Sequence, residues 1–187
     1  DSLTITRGFE GEYVREDRAY YEKLLSREDC DYLLLGQHFY EKENGELINV
    51  YQLPDTRDYE IYAANIVEAM RTGYFRYAAH PDLIFLNDLP WDAHCERACD
   101  IIVEGAAKYG FALEYNANGF RRGKKQFSEG ERYQYPLDRF WEKVREAGLS
   151  VYVGSDCHDP EQVYDGIVEM AYGKLEELGI AVRTDWV

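Results

Sequence analysis

The chain has 187 residues, 45% of them hydrophobic, and its 36 acidic against 21 basic residues give a net charge of -15. That length and hydrophobic content suit one domain able to bury roughly 70% of its unfolded surface, and the charge repels phosphate backbones, which argues against general nucleic-acid binding. No apolar run approaches the ~20 residues that span a bilayer, and the opening DSLTITRGFE has no signal-peptide pattern, so the expected setting is cytoplasmic with no membrane partner. The four cysteines (Cys30, Cys95, Cys99, Cys157) form no CxxC and read as reduced thiols, with Cys95 and Cys99 in the core.

In chain order, Leu3 to Phe9 (LTITRGF) is a predicted strand that ends in Glu10, with Glu12 two residues on as its rival for any role there. Arg15 to Asp29 reads as a helix with Ala19, Leu24 and Leu25 on its apolar side. Asp31 to Gly36 (DYLLLG) has the continuous apolar run of a parallel strand covered on both faces, and Gln37 and His38 come directly after it. Phe39 to Asp55 is polar and aromatic with a turn at Asn44-Gly45, an excursion above the sheet whose tyrosines border the site. Its acidic residues Glu41, Glu43 and Glu46 read first as a solvated face.

Thr56 to Thr72 is helical by period and stops at Gly73. Tyr74 to Ala79 (YFRYAA) is the next strand and runs into His80, Pro81 and Asp82. Asp92 to Tyr109 is a helix capped by Asp92 and closed by Gly110, with His94 a structural residue of its first turn. Strand Gly110 to Tyr115 (GFALEY) leads to Asn116, Asn118, Gly119, Arg121 and Arg122. After a helix at Leu137–Ala147 comes the strand and tip VYVGSDCHDP, which aims Asp156 and His158 to one side of an extended backbone. Asp159 and Pro160 then open a helix to Leu178 with Val163, Ile167, Met170, Ala171, Leu175 and Leu178 inward, and Ile180 to Arg183 is a short closing strand.

Strand and helix therefore alternate at least five times, which specifies a parallel sheet flanked by helices, open or closed into a barrel. Of only four histidines, His38, His80 and His158 fall just past a strand's C-terminal end, and so do Glu10, Asn116 and Asp156. In an α/β barrel those ends converge on one face, where active sites are built. Three imidazoles and two carboxylates there are the donor types that hold zinc, manganese or iron. Each residue alone has a plainer reading: His80 as a loop residue before proline, Asp156 as a turn residue, Arg121 as a solvated loop cation beside Arg122, Lys124 and Lys125.

The successive pieces GFEGEY, LLGQHF, AAHPD, LEYNANGFRRG and GSDCHDPEQV, in that order and spacing, resemble the later motifs of the polymerase-and-histidinol-phosphatase family, in particular its monofunctional histidinol-phosphatases. The resemblance implies a distorted (β/α)7 TIM-like barrel with up to three divalent metals that hydrolyses a small phosphomonoester, notably L-histidinol phosphate in histidine biosynthesis. It implies that Glu10 bridges two metals, that His38 and His80 complete the ligand set of one, and that Asp156 and His158 each serve a different metal. Arg121 would hold the substrate phosphate with Asn116 nearby, and Asp156 would move a proton. The family opens with an HxH strand that nothing before Glu10 supplies, so the expectation is a single barrel domain carrying about strands three to seven of a longer product. Two other readings stand beside it: another metal hydrolase of the same architecture, acting on a different phosphoester or an amide, and a non-catalytic module of the family.

Overall fold

A computed structural model describes residues 5–185. Leu3 and Thr4 of the predicted first strand lie outside them. The chain runs β1 (Gly8–Gly11), α1 (Arg18–Leu25), β2 (Tyr32–Gly36), β3 (Phe39–Glu41), β4 (Leu47–Asn49), α2 (Tyr59–Thr72), β5 (Phe75–Ala79) and α3 (Ala93–Tyr109). It continues through β6 (Ala112–Asn116), α4 (Asn118–Arg121), β7 (Lys124–Phe127), β8 (Gly130–Tyr133), α5 (Asp138–Glu146), β9 (Tyr152–Gly154) and α6 (Gly166–Leu178), with 3-10 turns at Leu83–Leu86 and Pro160–Gln162.

β1, β2, β5, β6 and β9 form one sheet in that order, every pair parallel. Among the described residues it is open: β1 and β9 are its edges, and the expected barrel closure is not seen. Alternation along the strands sorts residues between two faces. Leu33, Leu35, Ala78, Leu113 and Tyr115 join the helices in the main core. Tyr77, Ala112 and Tyr152 form a second, smaller cluster with Tyr32 and Leu34 on the other face. Glu10 and Glu114 also lie on that second face, each against a glycine of the neighbouring strand. β3–β4 and β7–β8 are separate antiparallel hairpins, the first turning at Asn44-Gly45 as expected and the second not foreseen from the sequence. No helix among the described residues is long and apolar enough to cross a membrane.

The long helices begin and end where local chemistry says they should. Asp92 accepts from the amides of His94 and Cys95 at 3.0 and 3.1 Å, satisfying two orphan donors of α3. Gly73, Gly110 and Gly179 close α2, α3 and α6 in the left-handed region. Cys95 and Cys99 are buried in the core, and His94 sits in the first turn of α3 with Nδ1 2.8 Å from Glu60.

Three expectations are corrected. α1 is shorter than predicted and buries Tyr21, not Leu25, because Tyr21 packs against Tyr13, Tyr74 and Phe75. The last helix does not run from Pro160: Asp159 caps only a 3-10 turn, and α6 restarts after Asp165, whose side chain accepts from Ile167 and Val168 amides. Val163, in the intervening break, is exposed rather than inward. The closing strand reduces to a single bridge between Val151 and Val182.

Candidate metal centre

Because β1, β2 and β5 are neighbours running the same way, the residues just past their C-terminal ends arrive at the same edge of the sheet. Glu10 sits in β1 opposite Leu34, and its carboxylate lies over Gly36, the last residue of β2. A Cβ at position 36 would stand 1.7 Å from Glu10 Oε1, so only glycine leaves room for the carboxylate. His38 comes two residues after β2 and His80 one residue after β5. One donor atom from each of Glu10, His38 and His80 lies within 4.8 Å of the others, the one such group of three or more His, Cys, Asp or Glu donors among the described residues.

Glu12 settles its rivalry with Glu10 by taking a different task. Its Oε1 lies 2.8 Å from His38 Nδ1, and its Oε2 accepts the backbone amides of His38 and Phe39 at 2.8 and 3.2 Å. A carboxylate can only accept, so Nδ1 carries the proton and the Nε2 lone pair remains for the cluster, the arrangement that orients metal-binding imidazoles. The ring stacks on Tyr51 at 6.4 Å and 13°, which brings a tyrosine of the excursion to the border of the site.

His80 is buried and lies in the left-handed region at φ 33, a conformation that costs a non-glycine residue energy and gathers at functional positions. Its Nε2 is 3.2 Å from Glu10 Oε1, while Nδ1 is buried with no partner. The hydrogen bond from His80 holds the Glu10 carboxyl below its ordinary range, against the burial that raises it. Burial pushes the His80 imidazole down, but the bond to Glu10 and the charges of Glu114, Glu10 and Asp156 outweigh it and leave the ring above its ordinary value. Beneath lies Glu114, accepting the His80 amide at 3.2 Å and Asn116 Nδ2 at 3.0 Å, its carboxyl pushed up to about 7 by burial.

Asp156 and His158 are placed differently. Asp156, at φ 46, is not in the extended backbone expected for it, and Asn116 and Asn118 both donate to its Oδ2, at 3.3 and 3.1 Å. His158 is exposed, with Nδ1 3.1 Å from the Asp156 carbonyl, and neither residue belongs to the three-residue donor group. The charge of His158 is nevertheless felt at Glu10, and that of Asp156 at His80.

The two expected substrate contacts are engaged inside the protein. Asn116 is buried, with Nδ2 shared between Glu114 and Asp156 and Oδ1 accepting the Asn118 amide. Arg121 spends its guanidinium on Asp165, Ser155 and Gln162. Arg122, one residue on, is exposed, lies over the Tyr135 ring at 5.6 Å and has no ion pair among the described residues. Tyr135 in turn stands 6.1 Å from the His80 ring. Sequence reasoning named Glu12 only as a rival to Glu10 and missed its bond to His38, and it missed Gly36 as a space-maker, Glu114 beneath His80 and the exposed Arg122 over Tyr135. The signal for each was adjacency: Glu12 two residues after Glu10, Gly36 before Gln37-His38, Glu114 two residues before Asn116, Arg122 beside Arg121.

No protein family's sequence profile matches the chain, and no curated protein does. Among solved structures it is similar to a histidinol phosphate phosphatase from Lactococcus lactis subsp. lactis complexed with zinc, L-histidinol and phosphate, with a TM-score of 0.64 at 15% identity. The match covers 92% of this chain and 66% of that one, so this chain spans just under two thirds of that enzyme. At that identity the likeness is one of fold: a parallel α/β sheet of the kind on which a zinc-containing phosphatase is built. The residues present fit a divalent ion on their own terms, as two imidazoles and a carboxylate that converge, one of the imidazoles, His80, being buried with its Nδ1 unpartnered.

Proposed function

We propose that this chain carries the metal centre of a phosphomonoesterase, and that the substrate is a small phosphorylated molecule of the L-histidinol phosphate type. The observation that carries the reading is the convergence of Glu10, His38 and His80 at three adjacent strand ends of this fold. These three would hold zinc, manganese or iron, with Asp156 and His158 as donors to any further ion. A divalent ion bound there supplies a Lewis acid for the phosphoryl oxygen and a more acidic water.

The chain's own residues do the rest. Glu12 fixes the tautomer of His38, and Gly36 leaves the space that the Glu10 carboxylate occupies. Asp156 is held through Oδ2 by two amide donors, which leaves Oδ1 for taking a proton from the attacking water or giving one to the leaving alkoxide. A protein of net charge -15 repels a phosphate dianion, so an arginine at the rim matters. Arg122 would take that task, since the Arg121 fork is filled and Arg122 lies over Tyr135, which neighbours the His80 ring.

The test is phosphate release from L-histidinol phosphate and from an aryl phosphate, by protein stripped with chelator and reloaded with zinc, manganese or iron. Turnover that needs the metal and disappears in Glu10→Gln supports the reading. Metal uptake without phosphate release from either ester sinks it and leaves a metal-binding module. Cleavage of amides instead would make the protein a different hydrolase of the same architecture.

A further inference from the structure

Arg121 is the last residue of α4, one short turn beyond the end of β6, and Ser155 comes directly after β9, the strand next to β6. The Ala117 amide donates to the Gly154 carbonyl at 2.8 Å, so the two strand exits are already tied by backbone. The Arg121 guanidinium is inserted there, its side chain 11% exposed. Its Nε and Nη2 engage the two carboxylate oxygens of Asp165 at 3.1 and 3.0 Å, the planar fork-to-fork pairing that arginine alone supports. Nη1 donates to the Ser155 carbonyl, and Nη2 reaches Ser155 Oγ at 3.0 Å and the Gln162 carbonyl at 2.9 Å. Asp165 Oδ1 at the same time caps α6, accepting from Ile167 and Val168.

One side chain thus joins the exit of β9, the 3-10 turn and the start of α6. The segment enclosed by those three points carries Asp156 and His158. Its other ties are hydrogen bonds from Asn116 and Asn118 to Asp156, from Ser155 Oγ to the Gln162 carbonyl and from the His158 amide to Gln162 Oε1; residues 157–161 are all exposed, and segments without buried apolar contacts open locally at low cost. A phosphate dianion reaching the guanidinium would have to displace a carboxylate that α6 needs for its own cap.

We propose that Arg121 is a positioning residue and not a substrate contact: with Asp165 it closes a clamp over residues 155–165 that sets where Asp156 and His158 stand relative to Glu10, His38 and His80. The consequence for metal and substrate rests on the proposed function, whereas the clamp itself does not. The discriminating variants are Asp165→Asn, which keeps a good helix cap but discharges the fork, and Arg121→Lys, which keeps the charge but loses the fork.

Three readouts are taken on wild type and both variants: amide hydrogen exchange by segment, zinc affinity, and inhibition of phosphate-ester hydrolysis by inorganic phosphate. In both variants, exchange within 155–165 should rise about tenfold or more with α2 and α3 unchanged. Zinc affinity should fall by about 10- to 100-fold, the usual cost of losing a supporting contact to a metal ligand. Inorganic phosphate should respond alike in the two variants. Unchanged exchange in 155–165 in both overturns the clamp. Weakened phosphate inhibition in Arg121→Lys but not in Asp165→Asn overturns it too, and makes Arg121 a substrate contact. If the wild type binds no zinc and releases no phosphate, the functional reading fails, while the exchange data still decide the clamp.

Discussion

Glu10, His38 and His80 stand at the ends of three hydrogen-bonded neighbouring strands, whereas Asp156 and His158 stand on one exposed loop after β9, an edge strand. In the first region the sheet register brings the donors together: Glu10 pairs with Leu34 and Gly36 with Ala79, and Glu12 then orients His38. In the second, position depends on side chains, namely two asparagine amides on Asp156 and the Arg121 fork behind it. Donors at the ends of strands paired with one another are brought together by backbone pairing, while those on a terminal loop need their own braces, and those braces look like functional residues from the sequence.

The largest effect is expected in the sheet-held region. His80→Asn should lower zinc affinity by more than about 100-fold, beyond the loss of a merely supporting contact, in competition with a chromophoric chelator. Unaltered affinity would mean that no centre forms on these three strands. Gly36→Ala changes no donor, yet its methyl collides with Glu10 Oε1; a fall of about 10- to 100-fold is expected by the same titration. A variant with normal zinc binding would show that Glu10 has freedom the register argument denies it.

The scaffold offers a control. A Cβ at Gly105 of α3 would stand 2.5 Å from a methyl of Val67 in α2, so Gly105→Ala should cost about 1–3 kcal/mol in urea unfolding through overpacking. Its zinc affinity should equal the wild type's, and a loss would tie the centre to helix packing rather than to strand register.

A smaller effect separates a buried carboxyl that braces the fold from those of the site. Asp82 accepts from the Leu137 amide and Trp141 Nε1 at 2.7 and 3.1 Å, and burial raises its pKa from 3.8 to about 6. The folded state therefore holds this proton more tightly than the unfolded chain does. Its contribution to stability is lost as pH rises from about 4 to about 6, by on the order of 3 kcal/mol. Glu114 acts with the same sign up to about 7. In chelator, the denaturation midpoint should drop across this window, and Asp82→Asn should flatten the curve; an equally steep curve in the variant would place the titration elsewhere. Smallest is a count of thiols: Cys157, on the exposed loop, should react at once with a disulfide reagent, and buried Cys30, Cys95 and Cys99 only on unfolding. A second fast thiol would show that the core opens as readily as the loop.

Features that depend on neighbours along the chain were legible in the sequence. The alternation of strands and helices, the Asp92 cap, the glycine stops and the delivery of His38 and His80 to strand ends all arise from local period and backbone chemistry. Even there α6 starts later than its period predicts, because Asp165 and not Asp159 supplies the helix cap, and its carboxylate is held in place by Arg121.

Tertiary packing alone chose which contacts each member of an adjacent pair makes. Glu10 or Glu12, and Arg121 or Arg122, are alike in type and a residue or two apart, so composition and spacing cannot rank them. Contacts could: Gly36 leaves space over which Glu10 lies, Glu12 is captured by His38, and Arg121 is captured by Asp165 from 44 residues away. Such choices are made between distant segments, whose geometry exists only once the sheet has brought its strand ends together.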